Sequence, residues 1–357
     1  MTALRVPARP DSEGDAGLRP VPWQRMAGVT WRQHRIALAG VAVLLGALAV
    51  WLWTLGRPLH QAYAAAIACH PASSSACVNL IVNFNESADN HFMGSKGPGG
   101  VLLQVVPALI GAFAGAPVLA RELETGTFRF AWTQGFGRCR WALAKLVLLG
   151  AVLAAATAAF GALVSRYYQP ESGTGPQGIG LFENSPFADL FSLREVTFPA
   201  WTLAAFAIAA LAGMLIRRVV PAIVATLAVY AGLAFATGSL LRERYLAPLV
   251  TGSLNFNLPG AGTAWTISQW TTKDGRFAFA GNPPDSLVNQ FCANISPDKI
   301  GPLGFAPCLT QHGYTQWTSY QPASRFWPFQ WIEGGWLLAL SLVLIAVTVW
   351  LVQRRAA

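Results

Sequence analysis

Six stretches of this chain, Ile36–Leu55, Val101–Ala120, Leu146–Val164, Val196–Ile216, Val219–Leu241 and Gly334–Val352, contain no Asp, Glu, Lys or Arg. An α-helix rises 1.5 Å per residue, so about 20 apolar residues cross the ~30 Å hydrocarbon core of a bilayer, and each stretch has that length. Lipid offers no water to backbone N–H and C=O groups, so each segment must satisfy its own hydrogen bonds as a helix. The Ala, Leu and Val content lacks the alternating polarity of barrel strands. Composition agrees: 54% of the 357 residues are hydrophobic and 11% charged, against about 25% charged in an ordinary soluble domain. The expected fold is an all-α integral membrane protein with six transmembrane helices.

Orientation follows from the basic residues. With the N-terminus inside, the cytoplasmic segments 1–35, 121–145, 217–218 and 353–357 hold 15 of the 25 Lys and Arg. Basic residues collect on the cytoplasmic side, which predicts an N-in, C-in topology. The first span follows a polar, Arg-bearing segment and lacks a small-residue cleavage site, so it is expected to be retained as an anchor. The net charge of +9 therefore belongs to the inner membrane face and its lipids; it points to no nucleic acid. Trp51, Trp53, Trp327, Trp331 and Trp336 fall at the outer ends of spans, Trp141 and Trp350 at the inner ends, as interfacial anchors do.

Cysteine placement fits the same topology. Cys69 and Cys77 lie in the first outer loop, Cys292 and Cys308 in the last, and Cys139 inside. An oxidising exterior predicts Cys69–Cys77 and Cys292–Cys308 disulfides, and without a His at ligand spacing no metal site is expected. The organisation is then a disordered tail over 1–22, an inner-surface helix over 23–35, spans one to five over 36–241, an extracytoplasmic loop domain over 242–333, and the last span with a short tail over 334–357. The first outer loop starts helix-like from Pro58 to Ala68, and 165–195 reads as a Gly/Pro-rich connector. Pro-rich turns such as Lys273-Asp274-Gly275 and Asn282-Pro283-Pro284 make 242–333 look like a small, irregular, disulfide-clipped cap.

The search for chemistry is negative. There is no G-x-x-x-x-G-K-[ST], H-E-x-x-H or G-x-S-x-G, so no catalytic residue and no bound cofactor is expected. Spans without ionisable groups argue against coupling to an ion gradient, which calls for intramembrane carboxylates. The driving force is expected from elsewhere.

Two inner segments stand out. Arg121-Glu-Leu-Glu-Thr-Gly-Thr127 follows span two and leads through Phe128, Phe130 and Trp132 to Arg138 and Arg140, an order that suits a short interfacial helix over 121–140. An anionic leaflet would repel Glu122 and Glu124, so these carboxylates suit a protein partner with basic residues. Ahead of span one, Trp23, Met26 or Ala27, and Thr30 or Trp31 recur at helical spacing, with Arg25, Arg32 and Arg35 free to reach lipid phosphates, as in a helix lying on the inner surface. Gly111, Ala112, Ala114, Gly115 and Ala116 in span two, and Gly232 and Ala236 in span five, would let helices approach closely.

Together, Ala120-Arg-Glu-Leu-Glu-Thr-Gly-Thr127, Ala131-Trp-Thr-Gln134, Lys145, Thr30-Trp-Arg-Gln-His-Arg35 and Tyr320-Gln-Pro-Ala-Ser-Arg-Phe-Trp327, set among six spans, resemble the ABC-2 type permease subunits of actinobacterial ABC transporters. The resemblance covers about residues 26–357. It implies an ABC-2 type exporter fold in a bacterial plasma membrane, a dimer of two permease copies, and a separate ABC ATP-binding subunit that carries the ATP and Mg. It also implies that Arg121, Glu122, Glu124, Thr125, Gly126 and Thr127 form the coupling helix that docks on that ATPase. The helix bearing Trp31, Arg32 and Arg35 would be the connecting helix, and re-entrant elements between spans five and six would close the outer gate. Gln104, Thr202 and Thr226 are candidate pathway-lining residues, suited to an amphipathic or lipid-like cargo. A membrane-anchored sensor or assembly scaffold that uses 242–333, with no transport, is the other reading.

Overall fold

The computed structural model describes residues 22–69, 76–77, 79–80, 98–126, 138–168, 191–252, 264–281, 283–292 and 306–355. In chain order the elements are α1 (Trp23–Ala68), α2 (Pro98–Thr125), α3 (Arg138–Tyr168), α4 (Thr197–Ile216), α5 (Val219–Ala236), β1 (Leu249–Gly252), β2 (Trp265–Lys273), β3 (Arg276–Ala280), α6 (Asp285–Cys292), α7 (Ala306–Gln311), β4 (Tyr314–Gln321) and α8 (Phe326–Arg355). Among the described residues six helices, α1 to α5 and α8, are long and apolar enough to cross a bilayer. They correspond to the six stretches expected.

α4 occupies the middle. It is apolar all round, as a helix with neighbours on every side must be, and Phe198, Trp201, Ala204, Phe206 and Ala209 are all buried. Within the apolar windows, 72% of α2 and 67% of α4 are buried but only 17% of α1 and of α5. α1 and α5 are peripheral. The inner face of α1 repeats Leu38, Leu45 and Leu52 at heptad spacing, with Val41 and Leu48 between them, and packs on α3. Its opposite face leaves Ile36, Val43 and Val50 exposed.

The α2–α4 seam is made by glycine. A Cβ at Gly111 would lie 2.6 Å from the Phe206 amide nitrogen, and one at Gly115 would lie 2.6 Å from the Phe206 carbonyl oxygen. From the other side, a Cβ at Gly213 would lie 2.8 Å from the Ala116 oxygen. The two backbones touch, which only small residues allow. At Gly232 in α5 nothing lies within 4 Å, so that glycine makes no comparable contact.

Three expectations need correction. Residues 23–35 are not a separate surface helix: α1 runs without interruption from Trp23 to Ala68. Nothing between Arg35 and Ile36 breaks the backbone, and Met26, Thr30, Leu38 and Leu45 are all buried. The segment 121–140 is not one interfacial helix either. Arg121 to Thr125 form the last turn of α2, Gly126 (φ +73°) ends it in the left-handed conformation common at helix C-termini, and Arg138–Arg140 already belong to α3.

The third correction concerns 242–333, which holds a four-stranded antiparallel sheet of order β1-β4-β2-β3. Asp274 (φ +50°) and Gly275 (φ +79°) supply the two positive-φ positions of a tight hairpin turn between the paired Lys273 and Arg276. α6 and α7 carry Cys292 and Cys308, whose Cα atoms are 6.1 Å apart; Cys69 and Cys77 are 5.6 Å apart. Both separations suit disulfides. The tail over 1–21 lies outside the described residues, as do 169–190 of the connector.

Gly111→Leu and Gly115→Leu should each lower the thermal unfolding temperature in detergent, costing at least about 1–3 kcal/mol of overpacking. Gly232→Leu should leave it unchanged. Labelling the denatured chain without reduction should modify Cys139 alone, and reduction should raise the count to all five cysteines.

Candidate functional site

Each end of the bundle carries a buried ion pair. At the end where α1 and α3 begin and α8 finishes, the Arg140 guanidinium lies 5.1 Å from the Trp23 ring and Gln353 hydrogen-bonds Cys139. Here Lys145 of α3, almost wholly buried, donates from Nζ to Glu122 of α2 and lies 4.6 Å from the Trp141 ring centroid. His34 of α1 is within electrostatic reach of both and of Arg121, and its Nδ1 is 3.1 Å from the Thr30 carbonyl.

This geometry divides the residues expected to couple. Glu122 is half-buried and engaged by Lys145 within the chain. Arg121, Glu124 and Thr125 are exposed on the last turn of α2, where the Thr125 hydroxyl donates to the Arg121 carbonyl at 2.8 Å. Gly126 follows directly, while Thr127 lies outside the described residues. Trp31, Arg32 and Arg35 are exposed on the first turns of α1.

At the opposite end, Glu333 of α8 is fully buried. Its Oε1 accepts from Trp201 Nε1 and Arg242 Nη2, both at 2.9 Å, and its Oε2 accepts from Arg242 Nε at 3.0 Å. Arg242 thus holds the carboxylate with two nitrogens, the strong geometry for such a pair. Its guanidinium also donates to Ser192 Oγ at 3.2 Å and lies 4.5 Å from the Phe191 ring centroid. The Tyr245 hydroxyl accepts from Trp336 Nε1 at 3.0 Å and approaches Glu333 Oε2 at 3.5 Å. Burial and the Glu333 charge push the Tyr245 phenol up to about 12, so it remains protonated at physiological pH.

One turn earlier in α8, fully buried Gln330 accepts from the Thr197 amide at 3.1 Å and donates to the Phe191 carbonyl at 3.0 Å. These contacts fix the start of α4. Sequence reasoning placed Glu333 in the loop domain and read the spans as free of ionisable groups; α8 begins at Phe326 and encloses Glu333 within a membrane-length helix. Lys145 likewise lies inside α3.

The pathway candidates are not brought together. Thr202 and Thr226 are fully buried, with hydroxyls donated to the Phe198 and Ala222 carbonyls of their own helices at 3.0 and 2.7 Å. Neither can line an opening in this conformation. Gln104 is exposed on α2. Among the described residues no group of three or more His, Cys, Asp or Glu is placed to hold a metal ion.

Apolar membrane-length helices fastened by paired charges near their ends define a multi-pass membrane protein. A family model for ABC-2 membrane transporter related proteins matches residues 41–242, more than half of the chain, and the chain belongs to that family. It is accordingly the permease component of an ABC transporter, a transport subunit and not itself catalytic. No curated protein and no solved structure matches the chain.

Lys145 is almost wholly buried, so Glu122→Leu should strand a buried cation and cost about 3–5 kcal/mol, measured by thermal unfolding in detergent. Glu122→Leu combined with Lys145→Met should recover most of that loss, because the replacement pair is apolar.

Proposed function

We propose that this chain forms, as a homodimer, the substrate pathway of an ATP-driven exporter in a bacterial plasma membrane, and that a separate ABC ATP-binding subunit docks at the α2–α3 end. ATP and Mg belong to that subunit. The observation that carries this reading is the Glu122–Lys145 pair, which ties the last turn of α2 to the early turns of α3. Arg121, Glu124 and Thr125 stand at that junction exposed to a partner. A push delivered there moves two helices together.

The mechanism is mechanical. Closure of two ATPases on ATP would press on the junction, tilt α2 with α3, and carry α4 along through the glycine seam, switching the opening between two permease copies from one side to the other. The exposed apolar faces of α1 and α5 are available to lipid or to the second copy. The apolar surroundings of the bundle suit an amphipathic or lipid-like cargo. An N-in, C-in topology is supported by the gathering of Trp23, Arg140 and Gln353 at one end, with the sheet and the Cys292–Cys308 pair at the other.

Glu124→Lys and Arg121→Glu should each leave the permease inserted and thermally stable yet lower permease-stimulated ATP hydrolysis and transport together. The measurement is made in proteoliposomes with the ABC ATP-binding subunit that co-purifies with the permease. Full activity in both variants would remove the docking assignment.

A further inference from the structure

We propose that the Arg242–Glu333 pair is a latch that holds α5 against α4 and α8, and that the sheet-bearing end of the bundle opens by α5 swinging away when the pair separates. The purpose of such an opening, substrate release, rests on the permease reading; the latch itself rests on the meeting of side chains from three helices at the buried Glu333 carboxylate.

α5 follows α4 after a two-residue link in which Arg217 is left-handed (φ +60°) and Arg218 extended. Along its length it packs on α4 and α2, and the residues it buries fully, Ala222, Thr226 and Tyr230, form a stripe four residues apart. In water such a stripe would be held by the hydrophobic effect. In a bilayer, lipid tails are as apolar as the neighbouring helix, so exchanging one contact for the other gains or loses little. The polar contacts therefore decide where α5 rests.

Those contacts gather at its far end. Beyond Ala236 the backbone changes from α to a π turn (Thr237–Leu241) and then a 3₁₀ turn (Arg242–Arg244), a departure from regular helix of the sort found where a helix must adjust. The turn delivers Arg242 to Glu333, which α8 contributes and which Trp201 of α4 also contacts. Three helices meet at one carboxylate. Separating the pair loosens α5 at this end, where the Tyr245 contacts still limit its travel, while the Arg217–Arg218 link keeps it hinged at the other.

The test uses the full chain in lipid nanodiscs with Cys139→Ser as background. A cysteine reporter replaces Thr237, which is buried at the start of the π turn, and a second replaces Thr202, buried on α4. With the latch intact, a membrane-impermeant maleimide should react slowly at both. Glu333→Gln or Arg242→Gln should speed reaction at position 237 by about tenfold or more, as a shift toward the open population would. The double variant should be no faster than either single one, and position 202 should stay unreactive throughout. An unchanged rate at 237, or equal acceleration at 237 and 202, would overturn the latch, the latter because the whole bundle has loosened. Adding a co-purifying ABC ATP-binding subunit in proteoliposomes tests the underlying reading separately. If the unmodified chain fails to couple ATP hydrolysis to transport, the permease mechanism falls whatever the labelling shows.

Discussion

Backbone contact between α2 and α4 sets the dimensions of the rest of the bundle. Helices in lipid gain nothing from hiding apolar surface, so their separation is decided by how closely they can fit. Glycine weakens an exposed helix by roughly 1 kcal/mol relative to alanine, yet at positions 111 and 115 it lets the Phe206 backbone come into contact. With the seam that tight, the bulk of α4 projects elsewhere: Phe198 meets Phe160 at 5.5 Å between ring centroids, and Trp201 meets Tyr230 at 5.2 Å and Trp336 at 6.2 Å. α3, α5 and α8 take their places around those rings.

The two buried ion pairs serve different helices and lie at opposite ends. One joins α2 to α3; the other joins the end of α5 to α8, with α4 in contact. Neither belongs at the bilayer centre, where a charge would cost most. The middle is left to small and apolar residues, while among the described residues each end carries one buried salt bridge.

Much of this was legible in the sequence, and what was missed was missed for a definite reason. The spans announced themselves by lacking charge, but that rule ends a span wherever a charge occurs. Lys145 adjoins Leu146 and Glu333 adjoins Gly334, so both buried partners fell just beyond the boundaries drawn by their own presence. The spacing of Gln330, Glu333 and Leu337 already places them on one helical face. The β-sheet was signalled by Asp274-Gly275 and by the aromatic and Thr-rich runs Trp265–Thr272 and Tyr314–Tyr320, but the abundance of proline in the same region outweighed them. Thr202 and Thr226 looked like polar lining because a sequence does not show that a helical threonine can spend its hydroxyl on the carbonyl four residues earlier.

The sheet also limits how far α5 can travel. β1 and β4 are paired, Leu249 with Tyr320, and these strands lead out of the α5 end and into α8. Gln321 donates to the Leu246 carbonyl at 2.7 Å, and Arg325 bridges the Ala247 carbonyl and the Gln321 side chain at 2.6 and 2.7 Å. Only the short run from Tyr245 to Pro248 separates this cross-braced strand pair from the turn that carries Arg242. The sheet is thus a leash. It allows α5 to pivot through a short arc but not to drift away, so the wedge it opens is narrow, and its width is set by four residues of chain and not by the membrane around it.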